Sequence, residues 1–267
     1  MPIKCIILSL LISIGFLYSC KTKDKVKVQP SDKASQEQTL KDSINKYPDS
    51  LALWESLIEL YSDSGNYKKA IEITGVVLKK DSSNVDLWDT QARLYYEDGD
   101  TLSAIKAYEQ ALKIFPMPDY MVSLGTLYAQ TKNPKALAMA DALQKTNDVK
   151  MHVDASFIEG LYNEFLGQKA KAIPFFDKCI QLDYTYMYAY REKAICYYDL
   201  GKYNDALTIL TKAITVENSF DEGYYWMGKV LEKLNRKDEA IQNYQLALMY
   251  DKDFTEAREA LNRLQGK

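Results

Sequence analysis

The chain has 267 residues, 47% apolar and 27% charged, the proportions of a folded soluble protein rather than a disordered one. Eleven Gly and seven Pro are few for the tight turns of an all-β fold, and one histidine, His152, leaves little for a multi-histidine metal site or a histidine-centred triad. A net charge of −3 with a pI near 5.4 argues against charge-driven binding to nucleic acid, and no nucleic-acid partner is expected.

Lys4 precedes an almost unbroken apolar run from Cys5 to Phe16, too short to span a bilayer comfortably and shaped like a secretory signal. The run ends in Leu17-Tyr18-Ser19-Cys20, which resembles the bacterial lipobox. That resemblance implies a signal over 1–20, lipid on Cys20 and a lipoprotein held in the bacterial cell envelope. An ordinary cleaved signal or an uncleaved anchor is the alternative. Residues 21–33 hold five Lys, two Asp and a Pro and bury too little to order, so they predict a flexible tether. Lys21, standing where an Asp would favour inner-membrane retention, favours the outer membrane, with the chain facing the periplasm.

A single helix is expected over 34–46, ending at Tyr47-Pro48. Beyond it the chain repeats. Ala70, Ala104, Ala136, Ala172, Ala206 and Ala240 follow one another at 34, 32, 36, 34 and 34 residues. Twelve residues upstream of five of them stands Ile58, Ala92, Gly160, Ala194 or Gly228, and eleven upstream of Ala136 stands Gly125. Three residues after those come Tyr61, Tyr95, Tyr128, Asn163, Tyr197 and Leu231. Gly65, Gly99, Gly167 and Gly201 fall midway, where a chain leaving one helix for the next needs positive φ. Each unit therefore predicts two amphipathic helices joined by a short turn, and the fold is all-α.

This pattern resembles the tetratricopeptide repeat. In the second unit Trp88, Ala92, Tyr95, Gly99, Ala104, Tyr108, Ala111 and Pro116 match the family's signature positions in order. The fifth has Tyr190, Ala194, Tyr197, Gly201, Ala206 and Ala213, the sixth Tyr224, Gly228, Ala240, Tyr244 and Ala247, and the first Trp54, Tyr61, Gly65 and Ala70. The resemblance implies a superhelical solenoid of six repeats at about 51–84, 85–117, 118–152, 153–186, 187–220 and 221–254. A helix within 255–267 would cap the last apolar face.

Two departures stand out. Pro174 falls inside a predicted helix, where it can cost about 3 kcal/mol, and predicts a kink or a late helix start. The third repeat turns through Lys132-Asn133-Pro134 without a glycine, with Asn133 expected as N-cap and Pro134 as the first helical residue. Its missing residues reappear at about 145–153, a lengthened linker that places His152 in a loop and predicts a weak seam there.

No phosphate-cradling glycine loop, GxSxG elbow, HExxH or zinc spacing of cysteines occurs, so no cofactor or metal and no enzyme is expected. A protein-interaction scaffold is the leading reading, and a glycan-capturing lipoprotein using groove aromatics the alternative. The family's groove positions, carried onto the first helix of each repeat, give two unlike halves. Repeats one and two present Glu55, Glu59, Asp63, Asp86, Asp89 and Glu97 against Arg93. Repeats four to six present Phe157, Phe165, Tyr188, Tyr198 and Tyr225 with Arg191, Lys229 and Lys233 among several acids. The expected partner is a protein or peptide with a basic and apolar segment. Cys179 and Cys196 fall on predicted neighbouring helices and are either a disulfide or two buried thiols.

Overall fold

The computed structural model describes residues 30–266, and every regular element among them is an α-helix. In order these are α1 (Pro30–Lys46), α2 (Leu51–Asp63), α3 (Tyr67–Lys80), α4 (Val85–Glu97), α5 (Thr101–Ile114), α6 (Pro118–Gln130) and α7 (Lys135–Gln144). They continue as α8 (Val149–Phe165), α9 (Lys169–Leu182), α10 (Met187–Asp199), α11 (Tyr203–Val216), α12 (Asp221–Lys233), α13 (Lys237–Tyr250) and α14 (Thr255–Gln265). The chain divides into two compact units after Leu124, within α6. The signal, Cys20 and most of the tether lie outside the described residues.

Most of the helices carry an apolar stripe at helical spacing, whereas α8 and α10 are buried on nearly all sides. In α2, Leu57, Ile58 and Tyr61 are buried and Glu55, Glu59 and Asp63 face water. The first unit packs Ile44 of α1 with these residues, Ala70 of α3 and Leu94 of α4. In the second unit Met187 and Tyr190 of α10 pack with Ala213 of α11 and Phe220. Second helices lie against the first helix of the following pair, α3 on α4, α9 on α10 and α11 on α12.

One turn closes every pair. A residue with positive φ ends the first helix, and the next N–H donates five residues back to a carbonyl. These bonds run from Asn66 to Tyr61, Asp100 to Tyr95, Asn133 to Tyr128, Gln168 to Asn163, Lys202 to Tyr197 and Arg236 to Leu231, all within 2.7–2.9 Å. Glycine supplies the left-handed residue four times. Lys132 at φ +57° and Asn235 at φ +58° supply it in the third and sixth pairs. Pro134 is the N-cap of α7 rather than its first residue, and Asn133 Oδ1 accepts from the Lys135 N–H at 3.0 Å.

A second device pins the connection before four of the first helices, α2, α4, α8 and α12. Trp54 donates its indole N–H to the Pro48 carbonyl at 2.9 Å, Trp88 to Ser82 at 3.0 Å, and the Tyr224 hydroxyl to Asn218 at 3.1 Å, each six residues back. His152 does the same, its Nε2 lying 2.8 Å from the Thr146 carbonyl. That contact corrects the expected loop: α8 starts at Val149, His152 is helical and half-buried, and only Lys145–Asp148 connect α7 to it. Asp148 caps α8 by accepting from the Lys150 N–H at 2.9 Å. The division into units falls twenty residues before the expected seam. Nor does Pro174 delay α9, which runs through it from Lys169.

Candidate functional site

In the first unit, Glu55, Glu59 and Asp63 project from α2 into water, spaced along one side of the helix. Asp86 opens α4, exposed, and accepts from the Tyr120 hydroxyl at 3.4 Å. Asp89 is half-buried and accepts from Arg93 Nε at 3.1 Å, so the cation on this surface is already engaged. Burial raises the carboxyl of Asp89, which Arg93 partly offsets, and burial also raises Glu97. Burial, reinforced by Asp89, pushes the Tyr120 hydroxyl up to about 12. A cleft of about 460 Å³ opens between α1 and α2, with Leu40 and Leu60 as apolar lining and Glu59 and Asp63 as its charged groups.

The second unit is built differently. Phe157 is 2% exposed, with its ring 5.7 Å from Phe176 and edge-on to Tyr186 at 5.3 Å. Arg191 is 1% exposed: Nη1 lies 2.5 and 2.6 Å from the two Glu222 oxygens, and Nε and Nη2 donate to Glu192 Oε1 at 2.8 and 2.6 Å. Its guanidinium also stacks on Tyr188, 5.2 Å from the ring centroid. Tyr225 is buried against Phe254 at 4.9 Å. Lys169 bridges Glu164 at 2.9 Å and Asp199 at 2.7 Å. Phe165, Tyr188, Tyr198 and Lys229 are half-buried. No group of three or more metal-ligating side chains occurs, and no helix is long and apolar enough to cross a membrane, among the described residues.

Family models described as tetratricopeptide repeat match residues 90–136, 153–186 and 221–254, and one described as TPR repeat matches 196–235. The chain carries tetratricopeptide repeats. A solved tetratricopeptide repeat protein from Parabacteroides merdae superposes with a TM-score of 0.71 at 22% identity, over 89% of this chain and 93% of that one. A chain of the APC/C Cut9–Hcn1 hetero-tetramer does so at 0.55 and 16% identity, over 87% of this chain and 46% of that one. Among curated relatives, heat shock protein STI1 of Saccharomyces cerevisiae is 33% identical over 95 residues, 35% of this chain and 16% of its own length. A DnaJ homolog subfamily C member 7 homolog of Schizosaccharomyces pombe is 23% identical over 211 residues, 78% of this chain and 40% of its own. The chain thus spans less than half the length of these relatives.

The repeats expose the expected acidic residues Glu55, Glu59 and Asp63 of α2 and Asp86 of α4, and leave Asp89 and Glu97 of α4 half-buried. They do not present all of the expected second-unit residues. Phe157, Arg191 and Tyr225 are interior, which corrects their reading as groove-facing anchors. Repeat phase gives the face of a helix but not how deeply the neighbouring first helices cover it, and here α10 lies directly beside α8 and α12. Cys179 and Cys196 are both buried and free rather than paired, and the Cys179 thiol donates to the Val153 carbonyl at 3.4 Å. Sequence reasoning passed over Glu192, Glu222 and Trp226. Glu222 had a signal, an acid on a first helix 31 residues beyond an arginine on the preceding one.

Proposed function

We propose that this chain is a non-enzymatic interaction scaffold, anchored through lipid on Cys20 to a bacterial envelope membrane and facing the periplasm. Its partner is a protein or peptide whose basic, apolar-containing segment lies on α2 and α4 of the first unit. The observation that supports this reading most is the exposure of Glu55, Glu59 and Asp63 along α2 and of Asp86 at the start of α4, while the cation of α4, Arg93, is engaged by Asp89. Apolar side chains of the segment have the Leu40 and Leu60 lining of the adjacent cleft. Acids arranged this way speed encounter with a basic segment and fix its register more than they add affinity. Membership of a hetero-tetramer by a chain of similar fold, in the Cut9–Hcn1 structure, agrees with a scaffold role. Of the second-unit aromatic residues on which glycan capture would rest, Phe157 and Tyr225 are interior and Phe165, Tyr188 and Tyr198 half-buried, so the exposed acids favour the polypeptide reading.

Crosslinking in the native cell followed by mass spectrometry identifies the partner. The double variant Glu55→Lys, Glu59→Lys then weakens its binding at least tenfold and flattens the dependence on salt. Wild-type affinity and salt dependence in that variant place the partner elsewhere.

A further inference from the structure

On α12, Lys229 and Lys233 stand four residues apart, and neither forms an ion pair among the described residues, unlike Arg263, Lys169 and Arg191 around them. Lys229 Nζ lies over three rings, 4.2 Å from the centroid of Trp226, 5.6 Å from Tyr225 and 5.7 Å from Tyr198. Lys233 Nζ lies 5.9 Å from the Tyr198 centroid. The nearby carboxylates are committed. Asp199 is 2.7 Å from Lys169, and Glu232 takes both Arg263 nitrogens at 2.8 Å and the Tyr244 hydroxyl at 2.6 Å. Trp226 adds a donor. The indoles of Trp54 and Trp88 donate to backbone carbonyls, whereas that of Trp226 has no acceptor among the described residues.

Aromatic faces stabilise an ammonium but carry no net charge, and the two carboxylates that act on Lys229, Asp199 and Glu232, each hold another cation at closer range, so its positive charge is only partly offset. Packing also removes water from Lys229, and this desolvation holds its amine below the usual lysine range. In such surroundings an arriving anion gains more than it would beside a fully hydrated lysine.

We propose that Lys229, Lys233 and the Trp226 indole N–H form a docking point for acidic side chains of a partner polypeptide. Groups four residues apart on a helix are about 5–6 Å apart at Cβ, which suits two carboxylates of an Asp- or Glu-rich segment better than one terminal carboxylate. The inference rests on the scaffold reading only in taking the ligand to be a polypeptide, and it asks nothing of α2 or α4.

The test is an NMR titration of the uniformly 15N-labelled full chain with a decaglutamate peptide, acetylated and amidated. The three indole N–H signals are assigned with Trp→Phe variants. The Trp226 signal should shift saturably while those of Trp54 and Trp88 stay in place, and a decalysine peptide should leave all three unmoved. Lys229→Met and Lys233→Met, each checked for folding by circular dichroism, should each weaken the peptide at least fivefold. A free C-terminus on the peptide should change nothing. A Trp226 signal that moves no more than the other two overturns the proposal, as does wild-type affinity in both methionine variants or a requirement for the free terminus. The partner found by crosslinking, and its response at Glu55 and Glu59, test the scaffold reading separately.

Discussion

Arg191 of α10 and Glu222 of α12 meet in the interior of the second unit, the guanidinium Nη1 lying 2.5 and 2.6 Å from the two carboxylate oxygens. With Glu192 holding Nε and Nη2, a cation that is 1% exposed is matched by two acids, one on its own helix and one on the next repeat. Such a pair contributes little beyond an apolar replacement, but removing one member leaves buried charge behind. Arg191→Met should therefore cost about 3–5 kcal/mol in urea unfolding. The triple variant Arg191→Met, Glu192→Gln, Glu222→Gln, which also removes the orphaned acids, should recover most of that loss. Equal instability of the single and triple variants would show that the guanidinium's packing, not its charge, is what matters.

Two glycines should respond in opposite directions. A Cβ on Gly228 would sit 2.6–2.8 Å from the ring of Tyr244, which is buried and has no room to move. Gly228→Ala should cost about 1–3 kcal/mol through overpacking between α12 and α13. Gly75, inside α3, has only the Gln91 side-chain nitrogen at 3.7 Å, an ordinary contact. Gly75→Ala should stabilise by about 0.5–1 kcal/mol, because alanine has less freedom to lose on folding and favours helix. Thermal melts of the two variants check both signs.

The repeat phase made the helices legible because small residues such as Gly228 and the alanines recur wherever two backbones must approach. The left-handed residue between paired helices was legible only where it was glycine. Lys132 and Asn235 adopt it because the turn's five-residue backbone bond and the helix on either side over-determine the conformation. The acidic surface of α2 could be read because exposed acids alternate with a clear apolar stripe. The second unit could not. There Asp154, Glu164, Arg191 and Glu192 are buried on first helices, and polar residues that pair internally look in sequence like polar residues that face water.

Glu164 makes stability depend on pH. Burial first, and the Glu192 carboxylate second, push its carboxyl from the ordinary 4.5 up to about 8 in spite of Lys169. A raised folded value means that between those limits the native chain keeps a proton the unfolded chain has released. The stabilisation is full below about pH 4.5 and is lost as pH rises toward 8. Glu164→Gln removes this contribution. Its urea midpoint should change less than that of the wild type between pH 5 and 8, and parallel profiles would assign the titration elsewhere.

Cys179 and Cys196 give the last expectation. Both are fully buried, desolvation raises both thiols well above the usual range, and Cys179 donates its S–H to Val153. The thiolate is the form that reacts with alkylating reagents and disulfides, so burial removes both access and nucleophile. Even in the presence of oxidants these two sulfurs should stay reduced until the second unit opens. Peptide-level mass spectrometry can follow this with one iodoacetamide isotope applied to the folded protein and another after unfolding without reductant. Both cysteines should carry only the second label. If either is labelled only after dithiothreitol is added, it is disulfide-bonded in the isolated protein. Labelling by the first isotope at pH 8 would instead mean that α9 and α10 open far more often than their packing allows.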